Sequence, residues 1–128
     1  MRIRKTDNKD EKLILTGMIV DDLVCGRIVS KWRDNLFKSK YAGLIASWCR
    51  KHFNRYETAP RETIESYFQS WSEKTKDEAT VSLVERFLST LSDEYEKNAD
   101  ETNSNFIIDV AGRYFTLVQA EQLRDNLD

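Results

Sequence analysis

Pro60 is the only proline in this 128-residue chain, and glycine occurs four times. That scarcity constrains the fold more than any motif does. A β-sandwich or barrel reverses direction every few residues and draws on Gly and Pro to do so. A chain this poor in both is left with long helices and few connections. The one proline then acts as a fixed marker. It lacks an amide donor and suits a first helical turn, so one helix ends near Ala59 and Pro60 opens the next.

The apolar spacing agrees on both sides of that marker. Between Ser39 and Tyr56, the residues Tyr41, Leu44, Ile45, Trp48, His52 and Tyr56 recur at three- and four-residue steps. At about 100° per residue they share one helix face, with Arg50, Asn54 and Glu57 on the other side. After Pro60, Ile64, Tyr67, Phe68 and Trp71 repeat the pattern. Nearer the start, Leu13, Ile14, Leu15, Met18, Ile19 and Val20 form a dense patch, expected as a first helix buried over much of its girth. A short second helix over 22–31 turns Leu23, Val24, Ile28 and Cys25 inward. Beyond the polar "SEKTKDEAT", where Thr75 and Glu78 fit a capping box, a further helix carries Val81, Val84, Phe87, Leu88, Leu91 and Tyr95.

"EKNADETNSN" is the most loop-like stretch, rich in Asn and Asp, which favour turns and caps. A last helix starts near Asn105 and runs to the chain end with no stop signal, an expectation of more chain beyond Asp128. Its apolar residues, among them Phe106, Val110, Tyr114, Phe115, Leu117 and Val118, cover more than one narrow stripe. Such a helix needs burial on several sides, which points to a partner subunit as well as its own domain. The expected fold is all-α, with about six helices.

Composition narrows the function classes. Twenty Lys and Arg oppose 22 Asp and Glu for a net charge of −2, which supplies no basic surplus for nucleic acid. Three Trp, five Tyr and six Phe within a 40 % apolar chain exclude an acidic disordered tail. No run of roughly 18 apolar residues exists, and the N-terminus has no small-residue cleavage site, so neither a membrane span nor a signal peptide is expected. Two cysteines, Cys25 and Cys49, are too few to staple a secreted scaffold, and a cytoplasmic setting is expected.

"WCRKHF" at 48–53 holds the only histidine, three positions after Cys49. A structural zinc site needs four ligands in paired short spacings, which two Cys and one His do not provide. A Cys–His nucleophile needs a third orienting group, and His52 sits in the middle of an apolar helix face. The expectation is packing: His52 substantially buried and hydrogen-bonded, Trp48 inward, Cys49 at the margin as a small apolar filler. No G-x-x-x-x-G-K-[ST], G-x-G-x-x-G or G-x-S-x-G occurs, so no phosphate cradle or serine elbow is expected. The basic groups Arg2, Arg4, Lys5 and Arg50, Lys51, Arg55 read as solvated charge. No catalytic residue, cofactor or metal ligand is expected.

The order of segments resembles the N-terminal domain of DnaB-like replicative DNA helicases of phage type. "EKLILTGMIVDD" looks like the family's first helix. "LFKSKYAGLIASWCRKHFNRYETAP" looks like its Phe, short gap, helix with paired aliphatics and proline-containing turn. "NFIIDVAGRYFTLVQAEQLRDNL" looks like the long helix leading toward a linker and motor domain. The resemblance implies a helical body over 1–75, then a long helical hairpin over 76–128, with the RecA-like motor absent from this chain. It implies a non-catalytic role in subunit assembly and in docking primase or a helicase loader, with DNA met only indirectly. Phe106, Val110, Tyr114, Phe115 and Val118 become candidates for the subunit contact. The alternative is a free-standing phage regulatory protein or a small DNA-binding helical protein.

Overall fold

The computed structural model describes residues 8–98 and 103–127 and is all-α, with no strand among those residues. Six helices follow in order: α1 Asn8–Val20, α2 Asp22–Ser30, α3 Lys40–Tyr56, α4 Ile64–Lys74, α5 Glu78–Asn98 and α6 Ser104–Leu127. A 3₁₀ turn, Arg61–Thr63, leads into α4, where the proline marker placed a helix start. The basic group Arg2, Arg4 and Lys5 lies outside the described residues. No described helix is long and apolar enough to cross a membrane.

The first helix is the hub. α1 packs against α2, α3, α5 and α6, and α6 is its most extensive neighbour. Ile14, Leu15 and Met18 are completely buried, with Leu13 and Val20 packed at the edges of the core. Each fully buried aliphatic side chain stabilises the fold by about 1.5–3 kcal/mol relative to exposure. Gly17 lets the neighbours come close: a Cβ there would lie 3.0 Å from Val24 Cγ1 of α2 and from Ile107 Cγ2 of α6.

Short polar side chains set the helix boundaries. Asp21 caps α2, its Oδ1 accepting from the amides of Leu23 and Val24 at 2.9 and 3.1 Å. Its Oδ2 accepts from the Ser104 hydroxyl, which ties the start of α6 to the start of α2. Ser39 caps α3 through the Ala42 amide, and Asn103 caps α6 through the Phe106 amide. At the far end of α3, Glu57 adopts the left-handed conformation, φ 59°, that often closes a helix.

Four local expectations need correction. The cap of α5 is Asp77, which accepts from the amides of Ala79 and Thr80 and from the Thr80 hydroxyl. Thr75 instead closes α4, its hydroxyl donating back to Trp71 O, so Thr75 and Glu78 form no capping box. Leu23 is 48 % exposed, because α2 buries the face formed by Val24, Cys25 and Ile28. Tyr56 is 54 % exposed although it shares a phase with Trp48 and His52, since α3 ends there. Cys49 is completely buried rather than marginal.

The last helix does not stand apart from the body. Ile107, Val110, Ala111, Tyr114 and Val118 belong to the same buried cluster as Leu15, Val24 and Ile45. What makes α6 apolar around so much of its girth is a third neighbour, the connection between α2 and α3. Phe37 packs edge-on against Phe115, with centroids 5.3 Å apart, and also meets Tyr114. Arg33 donates to Phe115 O at 3.1 Å, the Lys38 amide donates to the Tyr114 hydroxyl at 2.9 Å, and Gln122 donates to Asn35 O at 2.9 Å. A surface ion pair, Lys38 to Glu121, adds to the same seam.

Candidate docking cleft

The Trp48–His52 face of α3 is the seat of α4. Trp48 meets Phe68 and Trp71 with ring centroids 6.5 and 5.9 Å apart. His52 is 8 % exposed, and its Nδ1 lies 3.0 Å from the Tyr67 hydroxyl. Both match the packing expected of "WCRKHF". Burial pushes the His52 pKa below its ordinary value, so the imidazole is neutral at pH 7. The Cys49 thiol is pushed well up by burial, then by the nearby Cys25, which disfavours the thiolate a nucleophile requires. Cys25 is itself pushed up to about 12, by burial and then by Asp22, and its thiol faces Cys49 O at 3.8 Å. Among the described residues no group of three or more His, Cys, Asp or Glu could hold a metal ion.

With α4 held on α3 and α5 held on α1, a cleft of about 720 Å³ remains between them. Its floor is the end of α1, through Thr16, Ile19 and Val20. Ile64 and Phe68 form one wall, and Leu88, Leu91 and Tyr95 the other. Phe68 is braced from behind by Trp48 and Trp71, so that wall is built on the aromatic cluster. Tyr95 is 38 % exposed at the end of its wall.

The rim is charged. Glu62 and Glu65 stand on one edge and Glu85 on the other, all solvent-exposed. The rim's one basic residue, Arg61, is turned to Asp22, Nη1 to Oδ1 at 3.0 Å. Asp22 Oδ1 also accepts from the Ala59 amide at 2.8 Å. That bond first, and Arg61 second, hold the Asp22 pKa below its ordinary value. Arg61 has a φ of 50°, a left-handed backbone that costs a non-glycine residue about 1–2 kcal/mol. The cleft mouth thus carries a solvent-exposed ion pair at a strained position.

The candidate subunit-contact residues fall into three groups. Val110, Tyr114 and Val118 are 4, 1 and 2 % exposed. Their faces are occupied by the chain's own core, so they present no surface to a partner in this structure. Phe115 is partly buried against Phe37. Phe106 alone stands clear, 56 % exposed on the first turn of α6. On α3, Arg50, Lys51 and Arg55 are exposed as expected, but Arg50 lies over the Trp32 ring at 5.1 Å and Arg55 over Tyr56 at 5.5 Å.

Sequence reasoning missed the cleft. Its only advance signal was that α5 carries apolar residues from Val81 to Tyr95, a longer stripe than α1 alone can cover. Compared with protein-family models, with curated proteins and with solved structures, the chain matches none.

Proposed function

We propose that this chain is a non-catalytic protein-docking domain. The observation that carries the reading is the cleft between α4 and α5: apolar walls on a rigid frame, open to solvent, large enough for several side chains of another molecule. Concave, largely pre-formed apolar sites with a polar rim are the usual form of a binding surface. The buried, protonated Cys49 and the hydrogen-bonded His52 support a packing role for the one pair that could have suggested chemistry.

The resemblance of segment order to DnaB-like replicative helicases supplies the finer proposal. The domain would precede a motor, assemble with copies of itself, and receive primase or a loader. Self-association would use the exposed start of α6 around Phe106, not its buried face.

Sedimentation over a concentration series tests the assembly part. A chain that stays monomeric at the highest concentration removes it. Phe106→Asp is the variant of choice, because Phe106 is exposed and its loss should leave helicity intact. Phe115→Asp would disturb the contact with Phe37 and confuse assembly with folding. The sequence that follows Asp128 in the source genome tests the helicase part: a Walker A motif in the same reading frame supports it, and an immediate stop codon removes it.

A further inference from the structure

We infer that the occupant of the α4–α5 cleft is a short basic amphipathic helix from another protein, an inference that rests on the docking reading above. Two observations lead there. The first is shape. The cleft is walled by two helices and floored by a third, and the α5 wall from Glu85 to Tyr95 runs roughly 15 Å at 1.5 Å per residue. A trough of that length accepts about three turns of helix, with apolar anchors at i, i+3 or i+4, and i+7.

The second is charge. Glu62 and Glu65 face Glu85 across the opening, and among the described residues no cation pairs with any of the three. The one arginine of the rim has its guanidinium on Asp22. A ligand helix seated in the apolar trough would thus meet uncompensated carboxylates on both flanks. Lys or Arg beside its apolar stripe would be attracted, and Glu or Asp repelled. A helix of about three turns makes a contact at the small end of specific interfaces, which suits a transient complex.

The test uses the full chain and two synthetic twelve-residue peptides. Both carry leucines at the anchor positions; one has lysine at every flanking position and the other glutamate. Binding is read by fluorescence anisotropy, and its place by NMR shifts at Phe68, Leu88 and Tyr95. The expected result is that the lysine peptide binds at the cleft at least about tenfold more tightly than the glutamate peptide. That advantage should shrink as salt rises and should be lost in Glu65→Gln/Glu85→Gln, both exposed positions whose change leaves the core alone. Equal binding of both peptides at the cleft would overturn the basic partner and keep the docking reading. No cleft shifts with either peptide would overturn both. Cleft shifts that appear on concentrating the protein alone would assign the trough to a second copy and overturn the inference.

Discussion

The carboxylate of Glu11, in α1, accepts the hydroxyl hydrogen of Tyr114, in the middle of α6, 103 positions along the chain. Both residues are buried, 3 and 1 % exposed. The same Glu11 oxygen accepts from the Ser39 amide at 3.0 Å, and the Tyr114 hydroxyl accepts from the Lys38 amide at 2.9 Å. Two side chains therefore join the first helix, the last helix and the start of α3. A buried carboxylate is tolerated only when its oxygens are supplied with donors, and the tyrosine is one of them.

Tyr114→Phe keeps the ring and removes that donor, leaving Glu11 short of a partner and the Lys38 amide without an acceptor. The expected loss is about 1.5–3 kcal/mol of unfolding free energy, the range for a hydrogen bond to a buried charge. A urea unfolding curve measures it. A loss below about 0.5 kcal/mol would show that water serves Glu11 equally well.

Two glycines should respond to alanine with opposite signs. At Gly112 a Cβ meets nothing within 4 Å, so Gly112→Ala should stabilise by about 0.5–1 kcal/mol through helix propensity. At Gly17 the same methyl presses on the buried, branched side chains of Val24 and Ile107 at 3.0 Å. Overpacking there costs about 1–3 kcal/mol, more than the propensity gain. Thermal unfolding of both variants beside the parent decides the matter, and a Gly17→Ala protein more stable than its parent would mean that α1 and α6 are less closely packed than described.

Alkali should unfold the domain earlier than its surface charge suggests. Cys25 is raised from about 9 to about 12, Cys49 is raised well above its ordinary value by burial, and Tyr114 is raised by burial and by Glu11. Each group keeps its proton when folded and releases it when unfolded once the pH passes its ordinary value. The folded state then binds more protons, so stability falls as pH rises, by up to ~1.4 kcal/mol per pH unit for each group. For Cys25 the window opens near pH 9 and closes near 12. Denaturation midpoints from pH 8 to 10.5 should drop steeply, and less steeply in Cys25→Ala. An identical slope in the two proteins would show that the thiol is not protected.

His52 supplies the acid counterpart. Its pKa is lowered by burial, so below the ordinary value of about 6.5 the unfolded chain takes up a proton that the folded chain resists. Its contribution to stability is complete above that pH and declines as the pH falls toward the lowered value. As the only histidine in the chain, it can be followed unambiguously by an NMR titration. A midpoint at or above 6.5 would contradict the buried site beside Tyr67.

The helices themselves were legible because their signals are local. Apolar recurrence located α1, α3, α4, α5 and α6, and one proline located the turn before α4. That Trp48 and His52 turn inward followed from the same periodicity, whereas α4 as the helix they meet did not. What was not legible depends on pairs far apart in sequence. Nothing within "DEKLILTG" marks Glu11 as a buried acid, because its partner Tyr114 lies on the last helix. The apolar excess of α6 was visible, but its cover, Phe37 and the α2–α3 connection, could not be distinguished from a second subunit. Asp77 and Thr75 are both competent capping residues, and choosing between them required knowing where α4 stopped. The cleft was hidden for a related reason: it is a space left between helices, and periodicity describes only the helices.

The central position of α1 has a bearing on how the chain is made. Of the six described helices α1 leaves the ribosome first, and its most extensive neighbour, α6, leaves last. At roughly 5–20 residues per second, about 5–20 s of synthesis separate them. Throughout that time Ile14, Leu15 and Met18 lack the neighbour that closes over them, and the Glu11 carboxylate lacks Tyr114. The domain can complete its core only once α6 has emerged, and a nascent chain stalled before α6 would present the uncovered apolar face of α1 to chaperones.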